Sequence, residues 1–220
     1  MSELPASEND QPKKARRRSV IRENHEARIL QVAEDLFARN GFNGTAVDSI
    51  AEAAGMSKQN MLYYFPSKEI LYRRVLQQIL DLWVEKMVLL LDQDGGEPAE
   101  ILENYIRRKV DMSRTHPNGS KVFANEIING APYLREYLQE NLIDSLEKDV
   151  ALVRSWIEAG KMDPVDPYHL FFVIWASTQT YADFSTQICL VMKKDELEET
   201  DYQGASDFIA NVILKGVGLR

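Results

Sequence analysis

Apolar residues recur at helical spacing along nearly the whole chain, and polar breaks between them delimit the predicted elements. The first clear stretch runs from Asn24 to Asn40, with its apolar positions on one face. Further stretches of this kind cover residues 99–114, 121–129, 132–160, 166–191 and 205–217. No segment with the period-two alternation of a half-buried β-strand stands out. The pattern therefore predicts an all-α fold.

Two short helices are predicted after the first one. Asn40 and Gly41 tolerate left-handed geometry and end the first helix. Thr45 begins the second helix, and Asp48 completes a capping box with it. Gly55 then permits a tight turn.

The third helix is predicted over residues 58–64, with Ser57 as its cap. Pro66 and Ser67 stop it and begin a long fourth helix that ends near Leu91. Helices of about seven residues are marginal alone, so packing must hold the two short ones. This organisation is typical of a three-helix head whose third helix projects into the major groove of DNA.

Polar side chains in the first turn of the third helix are the candidate base contacts. Gln59 and Asn60 can pair bidentately with adenine, and Lys58 can reach guanine or phosphate. Candidate phosphate contacts are Thr45, Tyr63, Tyr64 and Lys68. Two of these have a plainer interpretation, because Thr45 is explained as a helix cap and Tyr64 as a core residue.

The charge distribution favours a basic head on an acidic body. The net charge is -8, which by itself argues against a nucleic-acid partner. Residues 1–74 carry 12 basic and 10 acidic side chains, whereas the remainder carries 14 basic and 24 acidic ones. A polyanion therefore meets a basic head. Residues 1–22 are predicted to be a disordered basic tail, whose charged run 13–18 is either solvated or an arm that contacts DNA.

Composition limits the remaining function classes. The single cysteine, Cys189, excludes an intrachain disulfide and a cysteine cluster for a metal. The three histidines are scattered without metal-ligand spacing, and no nucleophile elbow or phosphate-binding glycine loop is present. The sequence thus predicts no enzyme, metal or cofactor. No secretory signal or membrane span is recognisable, which favours the cytoplasm. A carrier that has lost DNA binding remains an alternative.

The head resembles the DNA-binding head of the TetR family of transcriptional regulators. The matching residues are Gly41–Thr45, Ile50-Ala51, Ala54–Ser57 and Leu62–Glu69. This resemblance implies a homodimer that binds a palindromic operator. It also implies a body that senses a small molecule. The domain boundaries that follow are residues 23–66 for the helix-turn-helix domain and residues 67–220 for ligand binding and dimerisation.

The body is similar to the Rut-type pyrimidine-utilisation repressors within that family. The similar stretches are Gln77–Trp83, Tyr105–Lys109, Gly130–Pro132, Asp166–Leu170, Ile174–Gln179 and Tyr181–Phe184. This similarity implies uracil or thymine as the effector and repression of pyrimidine metabolism genes. The alternative is a TetR-like repressor that responds to another small molecule, such as a xenobiotic or a fatty acid derivative.

A planar, uncharged pyrimidine needs an aromatic face and a donor–acceptor pair for its imide edge. Trp83 and Trp175 can supply the face, and Gln179 and Asn125 can supply the amides. Glu126 can accept from a ring N–H. Aromatics at helical spacing are also common as plain core residues, and Gln179 can equally bond a neighbouring helix or the other subunit.

The last two predicted helices carry broad apolar surfaces. Their apolar residues are Leu170, Phe171, Val173, Ile174, Ile188, Phe208, Ile209, Val212 and Ile213. In the resembling family, these helices pair with their mates in a four-helix interface, which sets the spacing of the two recognition helices. The alternative is that they close a monomeric core.

Overall fold

Helices dominate the part of the chain that the structure describes. The structure, a computed structural model, describes residues 11–88 and 96–220, with side chains over 20–85 and 96–220. The helices are α1 (Gln11–Gly44), α2 (Val47–Ala53), α3 (Lys58–Tyr64), α4 (Lys68–Val88), α5 (Pro98–Thr115), α6 (Pro117–Ile128), α7 (Arg135–Tyr137), α8 (Ile143–Glu158), α9 (Pro167–Asp183), α10 (Ser185–Met192) and α11 (Glu199–Gly216). No β-strand occurs within those ranges, and the all-α prediction is confirmed.

The chain divides into two compact units inside α4, between Val75 and Leu76. The first unit, called the head below, has a core in which α1, α2, α3 and the start of α4 each bury apolar side chains. Its largest fully buried residues are Ile29, Phe37, Ile50, Met61, Leu71 and Val75. The predicted boundary between the two domains, between residues 66 and 67, lies at the start of α4. The first turns of α4 are needed in the head, because Tyr72 packs edge-on against Phe37 with ring centroids 4.9 Å apart.

Helix α1 begins earlier than predicted. It is helical from Gln11, whereas the sequence predicted disorder up to residue 22; residues 1–10 lie outside the described part. Arg and Lys, which are strong helix formers, make up half of residues 11–22. Arg22 also pairs with Glu26 one turn later, at 2.8 Å. At its other end, α1 is interrupted at Gly41, where φ is 69°.

The second unit, called the body below, is built around α5. The apolar face of α5 packs against α9 and α11, and α8 closes the core through Val150, Val153 and Trp156. Helix α6 packs on α9. Most of these helices bury one face of an amphipathic stripe, as the sequence pattern predicted.

Two predicted helices of the body are divided in the structure. Residues 132–160 form α7, a π-helical turn over Leu138–Leu142, and α8. Residues 166–191 form α9 and α10, with Phe184 at φ −115° and ψ 26° between them. Neither irregularity contains a proline or glycine, so nothing in the sequence marks it.

Two other helices start earlier than predicted. Helix α6 begins at Pro117, a residue favoured in the first helical turn. Helix α11 begins at Glu199, because Glu198 and Asp201 form a reciprocal capping box. Asp201 also accepts from Lys194 Nζ at 2.7 Å, which fixes the turn before the helix. No helix of the described ranges is long and apolar enough to cross a membrane.

Candidate functional site

The turn between α2 and α3 holds the two short helices in a fixed relation. Gly55 takes the left-handed conformation, with φ 72°, and Met56 N donates to Ala51 O at 3.0 Å. Ser57 Oγ accepts from Asn60 N at 3.2 Å and caps α3, as predicted. Met61 is fully buried and anchors α3 to the rest of the head. The packed side of α3 therefore fixes which of its side chains face outward.

The outward face of α3 is polar. Lys58, Gln59 and Asn60 in its first turn are all exposed, and Tyr63 is 72% exposed. Their donors and acceptors are accessible for base edges and phosphates. The structure thus brings four of the predicted DNA contacts together on one surface.

Lys58 has an ion-pair partner within the head. Its Nζ lies 2.9 Å from Asp48 Oδ2 on α2. Both side chains are more than half exposed, so the pair contributes little to stability. The carboxylate lowers the positive potential beside the first turn of α3.

Thr45 lies inside the head instead of on its surface. Its side chain is buried, and its hydroxyl donates to Gly41 O at 2.7 Å and Leu36 O at 3.2 Å. Helix α2 begins at Val47 and has Ala46 at its N-cap with no side-chain cap. The predicted capping box and the predicted phosphate contact of the Thr45 hydroxyl are corrected accordingly.

Lys68 also has a role inside the head. Its Nζ donates to Phe42 O at 2.8 Å and to Thr45 O at 3.1 Å. The ammonium lies 4.4 Å from the centroid of the Phe42 ring. These contacts satisfy carbonyl groups in the turn between α1 and α2. The sequence predicted a phosphate contact for Lys68 and did not predict these contacts within the head.

Tyr64 is half-buried and is held by neighbouring rings. His25 on α1 stacks on it with centroids 5.8 Å apart, and Tyr63 meets it edge-on at 5.4 Å. His25 was not singled out from the sequence, because its partner lies far along the chain. The basic run 13–18 is helical in its backbone, and its side chains lie outside the described part.

A small cavity lies in the body beneath Trp83. It is lined by Trp83, Lys109, Met112, Ser113, His116, Ser120 and Gln179. Its volume is about 10 Å³, which is room for about one water molecule. Two of the five residues predicted to bind an effector, Trp83 and Gln179, therefore meet at one place. The Trp83 ring is further fixed edge-on to Phe123 at 4.6 Å.

Lys109 is the charged lysine among the cavity residues that the sequence did not predict as effector contacts. It is buried, and its Nζ lies 5.1 Å from the centroid of the Trp83 ring. Burial lowers the pKa of Lys109 to about 8, and the nearby Asp183 carboxylate opposes that shift. A signal was available: Lys109 lies four residues after Tyr105, on the face of α5 that the apolar residues define.

Asp183 completes the polar surroundings of this cavity. Its Oδ1 accepts from Ser120 Oγ at 2.6 Å. Burial raises the pKa of Asp183, while the hydrogen bond from Ser120 and the positive charges of Lys121 and Lys109 act in the other direction. The cationic cavity residue Lys109 thus lies near an anionic group, Asp183, which is hydrogen-bonded to the cavity residue Ser120.

The other three predicted effector contacts lie elsewhere in the body. Glu126 is buried, and its Oε1 accepts from the backbone N–H groups of Tyr133 at 2.6 Å and Leu134 at 3.1 Å. Asn125 is exposed on α6. Trp175 Nε1 donates to Tyr105 Oη at 2.8 Å. None of these three residues lines the cavity, and Glu126 and Trp175 already have hydrogen-bond partners within the body.

The last helices leave a set of large apolar side chains uncovered. From α9 through α11, the exposed residues are Phe172, Val173, Phe184, Leu190, Val191, Met192, Phe208 and Val212. Several residues that the sequence assigned to an interface are instead core residues of the protomer: Leu170, Phe171, Ile174, Ile209 and Ile213. Only Val173, Phe208 and Val212 of the predicted surface are strongly exposed.

Comparison with known proteins assigns the chain to a class. Residues 29–75 match the family described as "Bacterial regulatory proteins, tetR family", and residues 76–220 match "YcdC-like protein, C-terminal region". The chain belongs to the TetR family of transcriptional regulators. It is a ligand-responsive DNA-binding regulator of a family that acts as dimers on operator DNA, and it is not an enzyme.

Individual relatives narrow the assignment. The chain is 41% identical over 192 residues to the HTH-type transcriptional regulator RutR of Escherichia coli strain K12, covering 87% of this chain and 90% of RutR. It is 24% identical to the HTH-type transcriptional repressor NicS of Pseudomonas putida, covering 86% of this chain and 90% of NicS. The structure of the ketosteroid transcriptional regulator KstR2 of Mycobacterium tuberculosis shares the fold. It has a TM-score of 0.72 at 20% identity, and the match covers 87% of this chain and 94% of KstR2.

Proposed function

We propose that this regulator is a homodimeric repressor of pyrimidine metabolism genes, released from its operator by uracil or thymine. The observation that carries the effector assignment is the cavity in which the Gln179 amide and the Trp83 ring meet. The similarity to RutR across the body supports the same assignment. A regulator that binds operator DNA acts in the cytoplasm in this proposal.

In this proposal, α3 is the recognition helix of each protomer, and its residues contact either bases or phosphates. Gln59 and Asn60 read base edges in the major groove, while Lys58 and Tyr63 contact phosphates that set the register. Tyr64 supports the phosphate contact through its hydroxyl. The basic arm 13–18 adds contacts to phosphates or to the minor groove.

The dimer in this proposal forms through the uncovered apolar side chains of α9, α10 and α11. Their exposure would be costly in water, and a patch of this kind marks an association surface. A two-fold axis makes the interface isologous, so the same residues meet their equivalents in the partner. The resulting two-fold symmetric dimer matches the two half-sites of a palindromic operator.

Effector binding in this proposal requires the cavity to open. A volume of about 10 Å³ does not accommodate a pyrimidine ring, and ligand sites are typically about 300 Å³ or larger. Uracil or thymine therefore binds a wider state of the body, with Trp83 against the ring and Gln179 on the imide edge. An effector that prefers one state shifts the DNA-competent population by that difference in affinity.

Calorimetric titration of the full-length protein with uracil and thymine tests the effector. We expect saturable micromolar binding, at least tenfold weaker in Gln179→Ala. Asn125→Ala is the matched control, since this amide is exposed and away from the cavity. Absence of heat with both bases, in protein that still retards DNA, would leave a TetR-family regulator of another small molecule.

A DNA titration with and without the base tests the switch. We expect uracil to weaken operator binding without affecting the weak binding of random DNA. Uracil that binds without changing operator affinity would contradict the proposed release.

A further inference from the structure

The buried ammonium of Lys109 is not explained by the stability of the fold. Among the described residues, no hydrogen bond or salt bridge of its Nζ is present, and the aromatic ring of Trp83 is its near neighbour. Burial disfavours an ammonium group that lacks such partners, and the charge of Asp183 offsets that cost only in part. A methionine or leucine would fill the same position at lower cost.

The remaining polar groups of the cavity divide into those with and those without internal partners. Ser113 Oγ donates to Thr178 O at 2.9 Å, and Ser120 Oγ donates to Asp183. The side chains of Lys109 and Gln179 make no hydrogen bond within residues 20–85 and 96–220. Two polar groups with free hydrogen-bonding capacity therefore line one cavity.

We infer that Lys109 is the residue that binds an electron-rich oxygen of the effector, the ring carbonyl of a pyrimidine-2,4-dione. This inference rests on the proposed function, because it takes the cavity beneath Trp83 as the effector site. Gln179 then pairs with the neighbouring imide N–H and second carbonyl, and the Trp83 ring covers the flat face. The contact gives the ammonium an acceptor that the described residues of the protein do not supply.

Lys109 also defines the class of ligand that the cavity takes. A cationic compound is repelled by the ammonium, and a purely apolar one leaves it buried without an acceptor. Cytosine presents an amino group where uracil has a carbonyl, so a donor replaces the acceptor at that edge. The site therefore selects planar compounds that carry carbonyl oxygens, and it disfavours both cationic and purely apolar compounds.

The charge of Lys109 makes effector binding depend on pH. Burial lowers its pKa to about 8, and a carbonyl oxygen at the ammonium raises that pKa in the complex. Binding therefore takes up a proton above about pH 8, and affinity falls as the pH rises through that value. The other titratable groups at this place are Asp183 on α9 and His116 between α5 and α6.

The test compares uracil binding by wild-type protein and Lys109→Met, which retains an unbranched side chain, shorter by the terminal ammonium, and removes its charge. We expect at least tenfold weaker binding of uracil in the variant, with the melting temperature of the ligand-free protein unchanged or raised. A residue needed only for folding would lower the melting temperature. Lys148→Met, at an exposed position of α8, is the matched control and leaves both quantities unchanged.

The pH dependence gives a second measurement that needs no variant. For wild-type protein, we expect uracil affinity to fall about tenfold between about pH 7 and about pH 9. Lys109→Met loses this dependence. Uracil bound equally well by wild-type protein and Lys109→Met, or an affinity that is flat across that range, would overturn the role of Lys109 while leaving uracil as the effector. Failure of wild-type protein to bind either base would overturn both proposals.

Discussion

The head exposes the polar groups proposed to bind DNA, whereas the body buries the polar group proposed to bind the effector. In the head, Gln59 and Asn60 extend from the surface of a helix whose other side is packed. In the body, the cavity residue Lys109 is buried, and so is Asp149, a carboxyl group on α8. A surface that meets a large polyanion needs exposed groups on a rigid support, whereas a cavity for a small molecule needs desolvated ones.

This difference has an energetic consequence. The exposed polar groups of α3 cost nothing in the free protein, because water satisfies them. The buried charges of the body destabilise it unless they find partners. Substitutions in the head are therefore expected to affect DNA affinity first, and substitutions of the buried charges to affect stability and ligand response.

The largest expected effect is an exception to the expectation that substitutions in the head change DNA affinity first. It concerns Lys68, a lysine of the head that stabilises the fold. Lys68→Met removes two charge-assisted hydrogen bonds to the Phe42 and Thr45 carbonyls. We expect the free energy of unfolding of the head to fall by about 2–3 kcal/mol, measured by denaturant titration. The salt dependence of DNA binding by the folded variant stays unchanged. A salt slope reduced by about one would instead identify Lys68 as a phosphate contact.

The next effect concerns the buried carboxyl of the body. Burial raises the pKa of Asp149 from 3.8 to about 6. The folded state thus holds a proton more tightly than the unfolded state, and stability falls as the pH rises from about 4 to about 6. We expect Asp149→Asn to stabilise the protein by about 2–3 kcal/mol at pH 7 and not at all near pH 4. Equal stability changes at both pH values would show that Asp149 is ionised in the fold as in water.

A smaller effect tests base reading by α3. Gln59→Ala is expected to cost about 1–3 kcal/mol of binding free energy on the operator and little on random DNA. The operator is first selected from a random library by the wild-type protein, and both DNAs are then titrated at the same salt concentration. Equal losses on both would show that Gln59 contacts the backbone.

The smallest effect concerns the ion pair on the head surface. Asp48→Asn removes the carboxylate 2.9 Å from Lys58 Nζ. We expect DNA affinity to rise a few-fold, within about 1 kcal/mol, with unchanged stability. The salt slope becomes slightly steeper, because Lys58 then neutralises a phosphate more fully. A loss of affinity would show that Asp48 holds Lys58 in its DNA-reading position.

The head was predicted more completely than the body. Helix α3 has the predicted bounds, its Ser57 cap is confirmed, and Gly55 forms the predicted turn. These features depend on residues that are neighbours in the chain. The hydrogen bonds of Thr45 and Lys68 within the head were not predicted, because their partners lie on other elements.

In the body, the sequence predicted five effector contacts, and the structure brings only Trp83 and Gln179 to one cavity. From the sequence, Glu126 was expected to accept a hydrogen bond from the effector. In the structure, it accepts from backbone N–H groups that follow α6. Lys109 stood in a run of basic residues and was not singled out. Which polar residue faces a cavity depends on the rotation and packing of four helices, and no local pattern encodes that.

The sequence by itself determined the helical periodicity, the short helices with their turn, the basic head and the acidic body. Each of these follows from spacing, capping chemistry or charge count, which act over a few residues. The tertiary structure decided which polar side chains lose their water and which partners they find. Burial and long-range hydrogen bonds arise only when distant segments meet, and they separate Lys109 and Gln179 from the polar residues that the fold itself uses.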